Sequence, residues 1–91
     1  MTVNRPYLRG QTPFEESTLV TILEPVGTVV YYTTDGSDPT EMSFLYTEPF
    51  IVTETTTVKA VAIKDGVRSL VSTMTLYKLT HNDDEGSGDM E

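Results

Sequence analysis

The chain has 91 residues and a mass of 10.1 kDa, room for one domain with one small core. Six Lys and Arg stand against fourteen Asp and Glu, a net charge of −8. That argues against nucleic acid and against an anionic membrane surface, both of which call for a basic face. There is no Cys, which excludes a disulfide framework, thiolate chemistry and a Cys-based zinc site. Thr occurs 16 times, Val 10 and Ile 3, against two Ala, a balance that favours strands over helices.

Met1 to Gly10 has no apolar h-region of the kind a signal peptide carries. The expectation is therefore either a chain made in the cytoplasm or a module cut from a longer secreted protein. Residues 1–11 read as an N-terminal arm. The next segment, 12–79, reads as one unit of short strands. Ser17 to Leu23 is the first, closed by Glu24-Pro25 and Gly27. Thr28 to Thr34 is the second and runs into Asp35-Gly36. Ser37 to Ser43 is a loop around Pro39. Phe44 to Tyr46 and Phe50 to Thr53 read as short edge strands, and Pro49 suits a strand start. Thr56 to Lys64 is a long strand ended by the turn pair Asp65-Gly66. Ser69 to Lys78 closes the set. Turn signals at this spacing predict an all-β fold, an antiparallel sandwich.

Residues 80–91 form an acidic tail. Asn82 to Glu91 carries five acids, among them Asp83, Asp84 and Glu85, and no base. Such composition favours a solvated end; the sharper reading is an acidic arm that docks on a basic partner.

The run Tyr31-Tyr32-Thr33-Thr34-Asp35-Gly36-Ser37-Asp38-Pro39-Thr40 is distinctive. It is followed by Ser43, Tyr46, Pro49 and then Thr55-Thr56-Thr57-Val58-Lys59-Ala60. This pattern resembles the chitobiase/β-hexosaminidase C-terminal domain, a fibronectin-III-associated module, over roughly Pro13 to Tyr77. The resemblance implies an immunoglobulin-like antiparallel sandwich of about seven short strands. It also implies an accessory module whose catalytic partner domain lies elsewhere.

The residues themselves give that motif a structural role. Tyr32 offers an apolar body with a polar tip at a core edge. Asp35 and Gly36 suit a turn in which the carboxylate accepts a backbone N–H two residues on. Pro39 stiffens the loop, and Tyr46 is expected to close over it. Asp35, Asp38 and Glu41 are a candidate cation set, but Gly stands second where a calcium loop of the helix-loop-helix kind needs it sixth. No cofactor and no metal are expected.

Chemistry has little to work with. The single His, His81, flanks the tail. Glu15 and Glu16 are adjacent in a strand-like context and so point to opposite faces, which makes no facing pair for glycoside hydrolysis. The expectation is a non-enzyme. For sugar stacking, Tyr7, Tyr31 and Phe44 are the aromatics left for exposure.

Alternation adds a further reading. With Val20, Ile22, Val58, Ala60 and Ala62 inward, Leu19, Leu23, Val61 and Ile63 point outward. If the strands carrying them pair in one sheet, the four form an apolar docking face; a fold-back of Val3 to Leu8 is the competing cover. The functional expectation is a structural or interaction module that binds a protein partner, or copies of itself, in a larger assembly. A small stand-alone copy suits a virion capsid or tail accessory. The alternative is a spacer or weak carbohydrate-binding module of a secreted glycoside hydrolase or surface protein.

Overall fold

The computed structural model describes residues 2–80; the acidic arm of Asp83, Asp84 and Glu85, and His81, lie outside the described residues. Eight short antiparallel strands form two sheets. The first holds β1 (Tyr7–Arg9), β2 (Thr18–Leu23) and β5 (Phe50–Val52), in the order β1-β2-β5. The second holds β4 (Phe44–Leu45), β3 (Val29–Thr33) and β6 (Thr56–Lys64), in the order β4-β3-β6. Its far side is filled by β7 (Val67–Arg68) and β8 (Ser72–Leu76), both paired with β6. The architecture is an immunoglobulin-like sandwich.

Alternation fixes which side chains enter the core. The first sheet sends in Leu8, Val20, Ile22 and Val52, and the second sends in Val30, Val58, Ala60, Ala62 and Leu76. Phe14 joins from the connection before β2, fully buried. Its N–H donates to the Tyr77 carbonyl at 2.9 Å, and its own carbonyl accepts from the Leu79 N–H at 2.8 Å. Tyr46 caps one side, and its hydroxyl accepts the Ile22 N–H at 3.2 Å. That bond meets a backbone donor of β2 inside the sandwich.

The residues expected to form an arm belong to the sandwich. Tyr7–Arg9 pairs with β2, Val3 and Leu8 sit in the core, and the Ser72 hydroxyl donates to the Pro6 carbonyl at 2.5 Å. Three residues between Pro6 and Gly10 give too short an alternation to signal a strand. The expected closing strand, Ser69 to Lys78, forms only over β8 (Ser72–Leu76), and the separate short strand β7 (Val67–Arg68) precedes it. The Ala62 N–H donates to Ser69 Oγ at 2.9 Å, and the Ser69 N–H donates to the Ala62 carbonyl at 2.8 Å. A side-chain hydroxyl thus replaces a ladder partner, and the chain swings out at exposed Leu70 before β8 resumes. The turn between β6 and β7 uses positive φ at both Asp65 (52°) and Gly66 (78°), the backbone a two-residue hairpin demands.

The expected docking face of Leu19, Leu23, Val61 and Ile63 does not form. The segment Phe50–Val52, between the second and the long strand, takes the place beside β2. The long strand β6 pairs with β3 instead. Leu19 and Leu23 therefore lie on one sheet, 52% and 47% exposed, while Val61 and Ile63 lie on the other, 0% and 8% exposed. Their outward direction is as expected, since neither belongs to the core cluster. What differs is that the outer face of β6 is covered.

Truncating Val61 should accordingly behave as a core change. Val61→Ala is expected to lower unfolding stability by about 2 kcal/mol through lost burial and a residual cavity. Leu19→Ala should change it by less than about 0.5 kcal/mol, as an exposed substitution does. Urea denaturation of both variants checks this.

Candidate functional site

The loop from Asp35 to Ser43 is built from local hydrogen bonds. Ser37 donates both its N–H, at 3.0 Å, and its hydroxyl, at 2.6 Å, to Asp35 Oδ1. The Thr33 hydroxyl donates to the Ser37 carbonyl at 2.6 Å. A second turn follows, with the Ser43 N–H on the Thr40 carbonyl at 2.9 Å and the Thr40 N–H on Ser43 Oγ at 2.8 Å. Gly36 takes φ +83°, which a residue with a Cβ adopts only under strain. The two Ser37 bonds stabilise the ionised form of Asp35, and they hold its carboxyl below the ordinary carboxylate range.

Two longer contacts bring this loop onto the outer face of the second sheet. Arg68 Nη2 donates to the Pro39 carbonyl at 2.8 Å, and Lys59 Nζ lies 3.7 Å from Asp38 Oδ1. Lys59, Val61 and Ile63 alternate onto that face, and Arg68 stands directly opposite Ile63. Pro39 is fully buried there. The loop motif is thus the lid of β6, with apolar Pro39 beneath and charged groups at its rim.

Tyr32 is half-buried and anchors an aromatic cluster. It stacks on Phe50 with ring centroids 4.6 Å apart, tilts against Phe44 at 5.5 Å and meets Tyr46 edge-on at 6.2 Å. Burial, and then the neighbouring Tyr46, raise its phenol pKa above the ordinary value. A cleft of about 320 Å³ opens beside it, lined by Tyr32, Thr34, Asp35, Ser37, Met42 and Phe44 among others. Phe44 is 61% exposed.

The remaining candidates are dispersed. Asp35 is bonded to Ser37 and Asp38 is paired with Lys59, and no cluster of three potential metal ligands occurs among the described residues. Glu15 and Glu16 lie, exposed, in the bend before β2 rather than in a strand. The three aromatics considered for sugar stacking share no platform. Tyr7 lies on the outer face of the first sheet, Tyr31 on that of the second, and Phe44 in the cleft.

One exposed apolar face has its own pairing logic. Across the first sheet, Tyr7 stands opposite Leu23, Arg9 opposite Thr21, and Leu19 opposite Ile51. These six residues share the outer side, and Tyr7, Leu19, Leu23 and Ile51 are all exposed. Tyr7, Arg9 and Ile51 could not be assigned to this face from alternation alone, because the face exists only once β1 and β5 flank β2.

A family model described as Fn3 associated matches residues 20–76, more than half the chain. No curated protein matches it.

The Asp35 carboxyl should titrate below the ordinary range by NMR, and Ser37→Ala should return it toward that range. Because the shift is downward on folding, its contribution to stability is full above the unfolded-state value. It is lost as pH falls through the folded-state value, so Ser37→Ala should flatten the acid limb of the stability profile.

Proposed function

The chain belongs to the Fn3-associated family, and from that premise we propose that it is a non-catalytic accessory module that docks on a protein partner in a larger assembly. The observation that carries this is the outer face of the first sheet. Tyr7, Leu19, Leu23 and Ile51 form an exposed apolar set there, where a sheet meeting only water would turn polar side chains outward. Contiguous exposed apolar surface is a mark of an interaction site. Tyr and Arg are also the residue types that most often dominate interface energetics.

Arg9 is the only charged residue of the six face positions. It specifies the partner's chemistry: an apolar surface with a carboxylate placed to meet the guanidinium. The net charge of −8 works against pairing with a second copy, because like-charged molecules repel. The docking reading holds for any assembly and does not single out a virion.

Photo-crosslinking in the native source tests it. A photoreactive residue at position 23 should yield one discrete heavier adduct, and the same residue at exposed position 26 should not. Arg9→Glu should abolish the adduct. Purified chain should sediment as a monomer. An identical adduct from both positions, an adduct that survives Arg9→Glu, or no adduct at all would contradict the proposal.

A further inference from the structure

The cleft beside Tyr32 shares no lining residue with the docking face, and its lining has a chemistry of its own. One wall is aromatic, formed by Tyr32 and the exposed ring of Phe44. Met42 adds a flexible thioether, and it is almost wholly exposed. Asp35 is the charged residue of the lining. Both bonds from Ser37 fall on Oδ1, and the residue is exposed. Neither Lys nor Arg lines the cleft. A second shallow groove along Phe50 to Glu54 shares the lining residue Thr34, and the Glu54 carboxylate is exposed and 3.7 Å from Lys78.

A π face, a thioether and an exposed carboxylate match one kind of side chain. A cationic head is attracted both to the ring face and to the carboxylate, while its aliphatic stem packs on apolar surface. The volume, about 320 Å³, stands at the lower end for small-molecule sites. It suits an inserted side chain better than a cofactor. We propose that the cleft between Phe44 and Asp35 receives an arginine or lysine side chain from an extended segment of a partner protein. The neighbouring groove along Phe50 carries the residues that flank it. The cleft itself shares no lining residue with the docking face, whereas the flanking groove is also lined by Ile51; a small probe tests the cleft with no partner present.

The probe is N-acetyl-arginine N-methylamide, titrated into the full chain and followed by amide NMR. Its neutral, nearly isosteric citrulline counterpart serves as control. Saturable shifts are expected at Asp35, Met42, Ser43 and Phe44, with citrulline binding about tenfold or more weaker. Phe44→Leu keeps apolar bulk without a ring and should lose binding, and Phe44→Tyr should restore it. Asp35→Asn keeps an acceptor for Ser37 and should weaken arginine binding to the citrulline level. Equal response to arginine and citrulline would overturn the proposal. So would shifts confined to the acidic residues 82–91, or binding that survives Phe44→Leu. Loss of this site would leave the crosslinking result at position 23 untouched, so the two readings fail separately.

Discussion

The structure depends on one strand being buried on both faces. β6 runs from Thr56 to Lys64 and pairs with β3 on one side and with β7 and β8 on the other. Its inner side chains, Val58, Ala60 and Ala62, are fully buried in the core. Val61 and Ile63 on its outer side are buried as well. A strand that is apolar on both faces needs two covers, and a two-sheet sandwich supplies only one. The second cover is the loop from Asp35 to Ser43, fastened by Arg68 to the Pro39 carbonyl and by Lys59 to Asp38.

That constraint gives the sequence motif its physical meaning. Asp35, Gly36 and Ser37 turn the chain out of β3, and the hydroxyls of Thr33, Thr40 and Ser43 meet the loop's backbone groups. Pro39 then presents a donor-free residue to an apolar surface, where an unpaired N–H would be costly. The motif closes a fold. The same geometry covers the outer face of β6 alone: Val29 and Leu45 on the flanking strands of that sheet stay exposed, as Tyr7, Leu19, Leu23 and Ile51 do on the first sheet. The aromatic cleft is a by-product of the same turn, since the loop that leaves Tyr32 to cover β6 exposes Phe44 on its way back.

Much of this was legible in the residues. β-branched runs punctuated by Pro, Gly and Asp marked β2, β3 and β6 closely, and alternation separated inward from outward side chains correctly at Val20, Ile22, Val58, Ala60 and Ala62. The family resemblance was carried by the turn residues and is matched over residues 20–76. Alternation, however, says which way a side chain points and not what lies beyond it. The pairing of β2 with Phe50–Val52 was hidden because a three-residue strand has almost no period. The cover over Val61 was hidden because it depends on Arg68 and Lys59 meeting a loop some twenty to thirty residues away in sequence. β1 was hidden between Pro6 and Gly10. The face formed by Tyr7, Leu19, Leu23 and Ile51 needed all of these pairings and could not be assembled from one strand.

The most direct measurement is the solvent accessibility of individual methyl groups, read by NMR as relaxation caused by a soluble, neutral paramagnetic chelate. Strong relaxation is expected at the Leu19, Leu23 and Ile51 methyls, with the Val61 and Ile63 methyls protected to about the level of Val58. Arg68→Ala should raise relaxation at Val61 and Ile63 and leave Leu19 unchanged. Strong relaxation at Val61 and Ile63 in the unmodified chain, or protection of Leu19 and Leu23, would contradict this expectation.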